Sequence, residues 1–427
     1  MDRAGSFDSL DDWLSWLETL SPHEIVLGLE RVATVLGKLE LPRARRVINV
    51  AGTNGKGSCA AMLEALFADA GFTTGCYTSP HLLRFNERIR IDGIDASDDE
   101  IISAFERVES VRDELPLTYF EFATLAALVV FAHAGVDTLI LEVGMGGRLD
   151  AVNAVDPDAC LITNVSLDHT DWLGSEPEAI AAEKAAVMRA GKPAVYGATE
   201  HAATIREHAA AIGARLRVAG EDYRVTRRRD GHWSWRGTNV ELEKLAAPPL
   251  AGDFQLDNAA AVLALIEAMD HPEMLSADAV DRAFARLALA GRFQVVEARR
   301  TWVLDVAHNP AAATVLAVTL ASFAQGRPVT AIMGIRGDKD VAGIVGALAG
   351  QVESWVAVPL RHPASESAAL LAQQIARHTD KPCRIACSIE EALETEDRLA
   401  DPETLLLVSG SFYLVGPALD WLRANRA

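Results

Sequence analysis

A short apolar run, Arg46-Val47-Ile48-Asn49-Val50, leads directly into Gly52-Thr53-Asn54-Gly55-Lys56-Gly57-Ser58 and then into a segment carrying Met62, Leu63, Leu66 and Phe67 at helical spacing. A strand that turns through glycines into a helix is a building block of α/β folds, and Gly71 fits the C-cap of that helix. The turn also has a chemical meaning. Glycines let the backbone approach an anion closely, and the first N–H groups of a helix point at it. Lys56 adds a point charge suited to β- and γ-phosphates, and Ser58 offers a hydroxyl suited to Mg²⁺. The match to the Walker A pattern is inexact: Val50 replaces its first glycine, and Gly57 replaces the Ser or Thr that usually follows the lysine. A ligand-free Gly-rich turn is the plain alternative.

The rest of the chain alternates in the same way. Ser9–Leu20 reads as a helix with Trp13, Trp16, Leu17 and Leu20 on one face, Ser97-Asp98-Asp99-Glu100 opens another, and Thr138–Val143 and Ala159–Val165 are nearly continuous apolar strands. Continuous apolar strands between helices imply a parallel sheet covered on both faces. Polar Thr226–Glu241, with Trp233 and Trp235 two apart, reads as an antiparallel hairpin, and a helix follows from about Leu256 to Met269. A second alternating block has strands at Trp302–Ala307, Val329–Met333, Trp355–Val358 and Leu405–Val408. The expectation is an α/β protein: a P-loop parallel-sheet ATPase domain over residues 1–295, then a smaller Rossmann-like domain over 296–427.

Bulk properties exclude several functions. The 427 residues carry a net charge of −20, the opposite of a general nucleic-acid binder. The one dense basic run, Arg227-Arg228-Arg229, is followed at once by Asp230 and reads as a solvated loop or strand edge. Five scattered cysteines without a CxxC pair suit a reducing compartment, the start lacks a signal-peptide core, and the apolar stretch Phe122–Val143 is broken by His133, Gly135 and Asp137. A cytoplasmic protein, monomeric and without nucleic-acid or membrane partners, is expected.

Val50-Ala51-Gly52-Thr53-Asn54-Gly55-Lys56-Gly57-Ser58 resembles the signature of the bacterial folylpolyglutamate synthase/dihydrofolate synthase family, relatives of the Mur peptidoglycan ligases. In the Mur enzymes a Ser or Thr typically follows the lysine directly, so Gly57 favours the folate branch. Similar blocks follow in order: Thr78-Ser79-Pro80-His81-Leu82, Leu141–Asn153 containing Gly144-Met145-Gly146-Gly147-Arg148-Leu149-Asp150, Leu167–Gly174 containing Asp168-His169-Thr170-Asp171, Glu183-Lys184-Ala185 and Asp305-Val306-Ala307-His308-Asn309-Pro310.

The resemblance implies an ATP- and Mg²⁺-dependent ligase that phosphorylates a carboxylate and lets the amine of L-glutamate displace phosphate. The acceptors would be dihydropteroate and tetrahydrofolate. It implies that Gly55, Lys56, Gly57, Ser58, Asn258, Arg292 and Asp305 bind ATP, and that Ser58, Ser79, Glu142 and His169 bind the metal. Lys56, Lys184 and His308 would be catalytic, with Lys184 carbamylated and His308 near the incoming glutamate. Val26, Leu27, Gly28, Leu29, Tyr119, Phe120, Glu121, Phe122 and Asp150 would form the pterin pocket, although the first of these positions is acidic in some members and here is valine.

Each residue also has a plainer reading. Ser79 before Pro80 suits a turn, Glu142 a strand-end ion pair and His169 a hydrogen-bonded loop. Lys184 in an Ala-rich helix suits the surface, Asn258 an N-cap, Arg292 an interdomain ion pair, Asp305 an Asx-turn, and Phe120 and Phe122 a core. Two rivals remain at this point: a Mur-type amino-acid ligase, and a P-loop ATPase acting as a switch without a carboxylate acceptor.

Overall fold

Thr138–Glu142 is buried along its whole length, because neighbours hydrogen-bond to it on both sides and helices cover both faces. The computed structural model, which describes residues 7–21, 25–228 and 231–425, builds its larger sheet around this run. In chain order the strands are β1 (Arg46–Ala51), β2 (Thr74–Tyr77), β3 (Ile89–Ile91), β4 (Ile94–Asp95), β5 (Thr138–Glu142), β6 (Ala159–Ile162), β7 (Pro193–Tyr196) and β8 (Arg215–Val218). Their spatial order is β4-β3-β2-β5-β1-β6-β7-β8. The pairings from β2 to β8 are parallel, and β3 and β4 add an antiparallel edge. Loops leaving β1, β2 and β5 therefore emerge at one C-terminal edge, where open α/β sheets bind ligands.

The long apolar stretch resolves into the helix Tyr119–Ala134, a left-handed Gly135 cap and β5. Thr118 and Glu121 form a capping box at its start, and Ser9 and Ser97 cap their helices as the sequence suggests. The helix after β1 spans Lys56–Asp69 and is capped by Ala70, so Gly71, at φ 85°, stands one residue beyond the expected cap.

Between 224 and 246 the hairpin expectation is corrected. Three antiparallel strands form here, β9 (Arg224–Arg227), β10 (His232–Arg236) and β11 (Glu241–Ala246), with Trp233 and Trp235 fully buried. Arg227 pairs with Asp257 at 2.7 Å and Arg228 donates to Ser234, while Arg229 and Asp230 lie outside the described residues, as do residues 1–6 of the N-terminal reading.

The second sheet contains β12 (Gln294–Glu297), β13 (Thr301–Asp305), β14 (Val329–Met333), β15 (Ser354–Ala357), β16 (Cys383–Ile385) and β17 (Leu405–Ser409), in the order β12-β13-β17-β14-β15-β16. All its pairings are parallel except β12 with β13. The chain divides into two compact units. The first comprises residues 1–165, 173–248 and 256–287; the second comprises 288–427 with the short segments 166–172 and 249–255. Among the described residues no helix is long and apolar enough to cross a membrane, and all five cysteines are free thiols.

Candidate active site

In the first unit, the loop after β1 depends on two glycines. Gly52 has φ 136°, and a Cβ there would lie 1.8 Å from Thr163 Oγ1. Gly55 has φ 84° and packs against Asn258, whose Oδ1 would be 2.8 Å from an added Cβ. The end of β6 fixes the loop from the side: Thr53 N donates to Asn164 O at 3.0 Å, Asn54 N to Asn164 Oδ1 at 3.1 Å, and Thr163 Oγ1 to Asn54 O at 2.6 Å. Thr163 and Asn164 thus shape the loop, a task the sequence reading did not give them. Their only signal was polarity at the end of an apolar run.

Gly55 is the N-cap of the helix Lys56–Asp69, so Lys56, Gly57 and Ser58 form its first turn, where backbone N–H groups lack helical partners. Lys56 Nζ donates to Gly52 O at 3.1 Å and to Thr53 O at 3.2 Å. Lys184 Nζ reaches the same Gly52 carbonyl at 3.1 Å. The surface reading of Lys184 fails: it is 4 % exposed, because its helix, Pro177–Ala185, packs against the Gly147 loop, where an added Cβ would lie 2.6 Å from Glu183 O. Asn258 is the fifth residue of the helix Phe254–Ala268, which rules out the N-cap reading.

Among the metal candidates, Ser79 and Glu142 come together. Neighbouring β2 and β5 place Ser79 N 3.2 Å from Glu142 Oε2, with Glu142 4 % exposed. Ser58 is buried at the helix start. Among the described residues no group of three His, Cys, Asp or Glu side chains is arranged to hold a metal. Hydroxyl and carboxylate oxygens nevertheless suit Mg²⁺, which keeps several waters and takes few protein ligands beside phosphate.

The pterin candidates converge through Arg31. Its guanidinium donates to Val26 O at 2.7 Å and pairs with Glu121 at 2.7 Å, tying the 26–29 segment to the start of the helix Tyr119–Ala134. Val26 takes part through its backbone, so its apolar side chain does not break this link. Leu27 is exposed, Gly28 has φ 148°, and Leu29 is half-buried. Glu121 has a capping and ion-pairing role, and Phe122 is a core residue against Phe105, as the plainer reading allowed. Tyr119 and Phe120 are half-buried, and Phe120 lies against Gly144, where a Cβ would come within 2.6 Å of its ring.

Asp150 accepts from Met145 N at 2.8 Å and Val152 N at 3.0 Å, which holds the Gly144–Val152 turn together. Burial lifts its carboxyl to about 6 against these bonds and the Lys56 charge.

In the second unit, Asp305 ends β13 and accepts from Ala307 N and Phe293 N, both at 2.8 Å, so the Asx-turn reading is realised. Desolvation raises its pKa against the pull of Arg292. The Arg292 guanidinium lies 5.2 Å from the Phe412 ring centre.

His308 Nδ1 carries a proton and donates it to Val306 O at 2.8 Å, and Nε2 is 3.5 Å from Asp168 Oδ2, to which it can donate when the ring is doubly protonated. Asn309 Nδ2 donates to Asp168 at 3.1 Å, and Lys339 Nζ lies 2.6 Å from its other oxygen. His169 follows at φ 51°, its N–H bonded to Asp168 Oδ1. Burial alone would raise Asp168, but the His308 hydrogen bond and the charges of His169, His308 and Lys339 outweigh it and hold the carboxyl far below the usual range. Lys339 and Asn309 carried no expectation from sequence, since nothing local links Lys339 to a carboxylate 171 positions away.

Comparison with known proteins identifies the family. Residues 50–266 match the Mur ligase middle domain and residues 291–412 the Mur ligase glutamate ligase domain. The dihydrofolate synthase/folylpolyglutamate synthase of Escherichia coli K12 is 38% identical over 421 residues, covering 98% of this chain and 96% of that protein. The structure of E. coli FolC in complex with DHPP and ADP superposes with a TM-score of 0.93 at 37% identity, covering 99% of this chain and all of that one. A bifunctional folylpolyglutamate synthase/dihydrofolate synthase with Mn, AMPPNP and L-glutamate bound gives 0.90 at 40% identity, with coverage of 99% and 100%. With matches of this identity along almost its entire length, the chain belongs to the dihydrofolate synthase/folylpolyglutamate synthase family of the Mur ligase superfamily.

Proposed function

We propose that the Gly52–Ser58 loop holds the phosphates of ATP, with Lys56 on the β- and γ-phosphates and Asn258, Arg292 and Asp305 around the nucleotide. The enzyme is an ATP-dependent ligase that joins L-glutamate to dihydropteroate, giving dihydrofolate, and to tetrahydrofolate, giving folylpolyglutamates. The observation that carries the loop assignment is the convergence of the Lys56 and Lys184 ammonium groups on one Gly52 carbonyl beside an open helix N-terminus.

The chemistry follows from charge. A carboxylate is a poor electrophile, and bringing it to a triphosphate sets two anions against each other. Lys56 and the first-turn N–H groups stabilise the charge that develops as the γ-phosphoryl group moves. The resulting acyl phosphate has a good leaving group, the glutamate amine attacks it, and an amide forms with release of phosphate. Ser58, Ser79, Glu142 and His169 would hold Mg²⁺, which would supply charge neutralisation at phosphate oxygens. Lys184 is nearly buried, and burial favours the neutral amine that carbamylation needs. Its carbamate would add an oxygen ligand for the metal. His308 lies beside the incoming glutamate. Pterin contacts and the nucleotide contacts other than Asp305 fall to residues 1–295, and Asp305 and the glutamate contacts to 296–427, in a cytoplasmic monomer.

ADP release measured with ATP, glutamate and each pterin acceptor in turn tests this reading. Turnover should need glutamate and a pterin acceptor together, UDP-sugar peptides should not replace the pterin, and Lys56→Ala should reduce kcat at least about 100-fold. ATP hydrolysis independent of any acceptor, or normal turnover in Lys56→Ala, would overturn it. Intact-mass and ¹³CO₂ labelling spectra of the wild type and Lys184→Met would detect the carbamate.

A further inference from the structure

The loop after β2 carries a histidine to which the assignments above give no role. Glu87 holds this loop rigid: its carboxylate accepts from the backbone N–H groups of Leu82 at 2.7 Å and of Leu83 and Arg84, both at 2.9 Å. Within it, Arg88 Nε donates to His81 Nδ1 at 2.8 Å. A guanidinium always donates and never accepts, so His81 Nδ1 must be the acceptor and its single proton must sit on Nε2. A second proton on Nδ1 would point at the arginine. The arginine cannot easily turn away, since it is 9 % exposed and packs over the rings of Phe85 and Tyr119 at 5.7 and 5.6 Å. His81 is therefore a neutral imidazole with a fixed N–H, and that Nε2 has no hydrogen-bond partner among the described residues.

Its position gives the donor a use. His81 is two residues beyond Ser79, whose N–H meets Glu142 at the metal-candidate edge, and Arg88 links it to Tyr119 at the start of the pterin-candidate helix. Resting on the function proposed above, the acceptor must span these two places, with its ring system near Tyr119 and Phe120 and its carboxylate near Ser79 and Glu142.

We propose that His81 Nε2–H donates a hydrogen bond to the carboxylate of the pterin acceptor and to the acyl phosphate it becomes, and that Arg88 is the positioning residue that enforces this tautomer. A neutral donor suits the task better than an imidazolium. It orients the carboxylate without quenching its nucleophilicity, and it adds no positive charge beside a divalent metal.

Steady-state kinetics of four variants test the proposal. His81→Leu, which keeps bulk but cannot donate, should lower kcat/KM for the pterin acceptor by about 10–100-fold, leaving KM for ATP and for glutamate within about twofold. His81→Gln, which retains an N–H donor, should recover most of that loss. Arg88→Met should resemble His81→Leu, Arg88→Lys should recover part, and the double variant His81→Leu/Arg88→Met should be no worse than the poorer single. ADP binding at the wild-type Kd confirms an intact first unit in each variant. The proposal is overturned if His81→Leu and His81→Gln behave alike, whether both active or both impaired, or if the loss falls equally on all three substrates. Absence of glutamate-dependent ADP release in the wild type would instead defeat the functional reading itself, so the two failures are distinguishable.

Discussion

The Lys339 ammonium lies 2.6 Å from a carboxylate oxygen of Asp168, and each side chain is exposed by less than a tenth. A buried pair of this kind is costly to break from one side, because the surviving charge is left without its counterion. Asp168→Asn should destabilise the protein by about 3–5 kcal/mol. Lys339→Met should cost less, because Asp168 keeps His308 and Asn309. The double variant should fall short of the summed single losses by at least about 1 kcal/mol, as read from urea unfolding. The folded pKa of Asp168 is depressed, so its contribution is complete above the unfolded value near 3.8 and is lost only on stronger acidification. The Asp168 carboxylate is therefore ionised in both the folded and the unfolded state from about pH 5 to about pH 8.

Gly52→Ala is expected to be severe. The new Cβ would overlap Thr163 Oγ1, and φ 136° lies in a region that L-residues avoid. Moving Thr163 aside breaks its bond to Asn54 O. Nucleotide affinity measured by calorimetry should drop more than about tenfold, and Thr163→Ser should not rescue it, since serine keeps the clashing oxygen.

Asp150 predicts a stability slope on the opposite side from Asp168. Its folded pKa, about 6, is raised above the ordinary aspartate value of 3.8. A raised carboxyl favours folding below the unfolded pKa and loses that contribution as pH rises through the folded one. The wild type should thus lose on the order of 3 kcal/mol between about pH 4 and 6 from this group. In Asp150→Asn that part of the slope should vanish, as followed by thermal melts at each pH.

Glu142→Gln keeps the shape of the side chain and its bond to Ser79 N but removes a negative oxygen. The concentration of divalent cation needed for half-maximal turnover should rise about 10–100-fold. Ser58→Ala should act in the same direction more weakly. An unchanged cation requirement in both would remove these residues from the metal site.

The most legible strands were those hidden on both faces. β5, β14 and β17 are buried at every position, so their sequences are nearly continuous apolar runs, interrupted only by Thr138, Glu142, Thr330 and Ser409. Edge strands β12 and β16 escaped notice because they leave Val295 and Ile385 exposed and carry no continuous signal. β11 was hidden by a bulge. Opposite Trp233 and Trp235, two apart, stand Leu245 and Leu242, three apart, with Lys244 at φ 57°, and the extra residue destroys the alternation of two.

In the site, the glycine loop could be read locally because strand, turn and helix are contiguous. The burial of Lys184 could not, since an Ala-rich helix looks the same on either face until something packs against it. The Arg31–Glu121 pair and the Asp168 cluster join positions 90 or more residues apart, and only the folded chain brings them together.

Segment 166–172 has residues of the first unit on both sides in the sequence yet belongs to the second, and it brings Asp168 with it. A genetic cut before residue 288 would therefore remove the anion and keep the cation. The liberated C-terminal piece would inherit Lys339 as an unneutralised charge in its interior. Its boundary in the gene is not its boundary in physics, and adding back a short Asp168-bearing peptide in trans should tighten its fold.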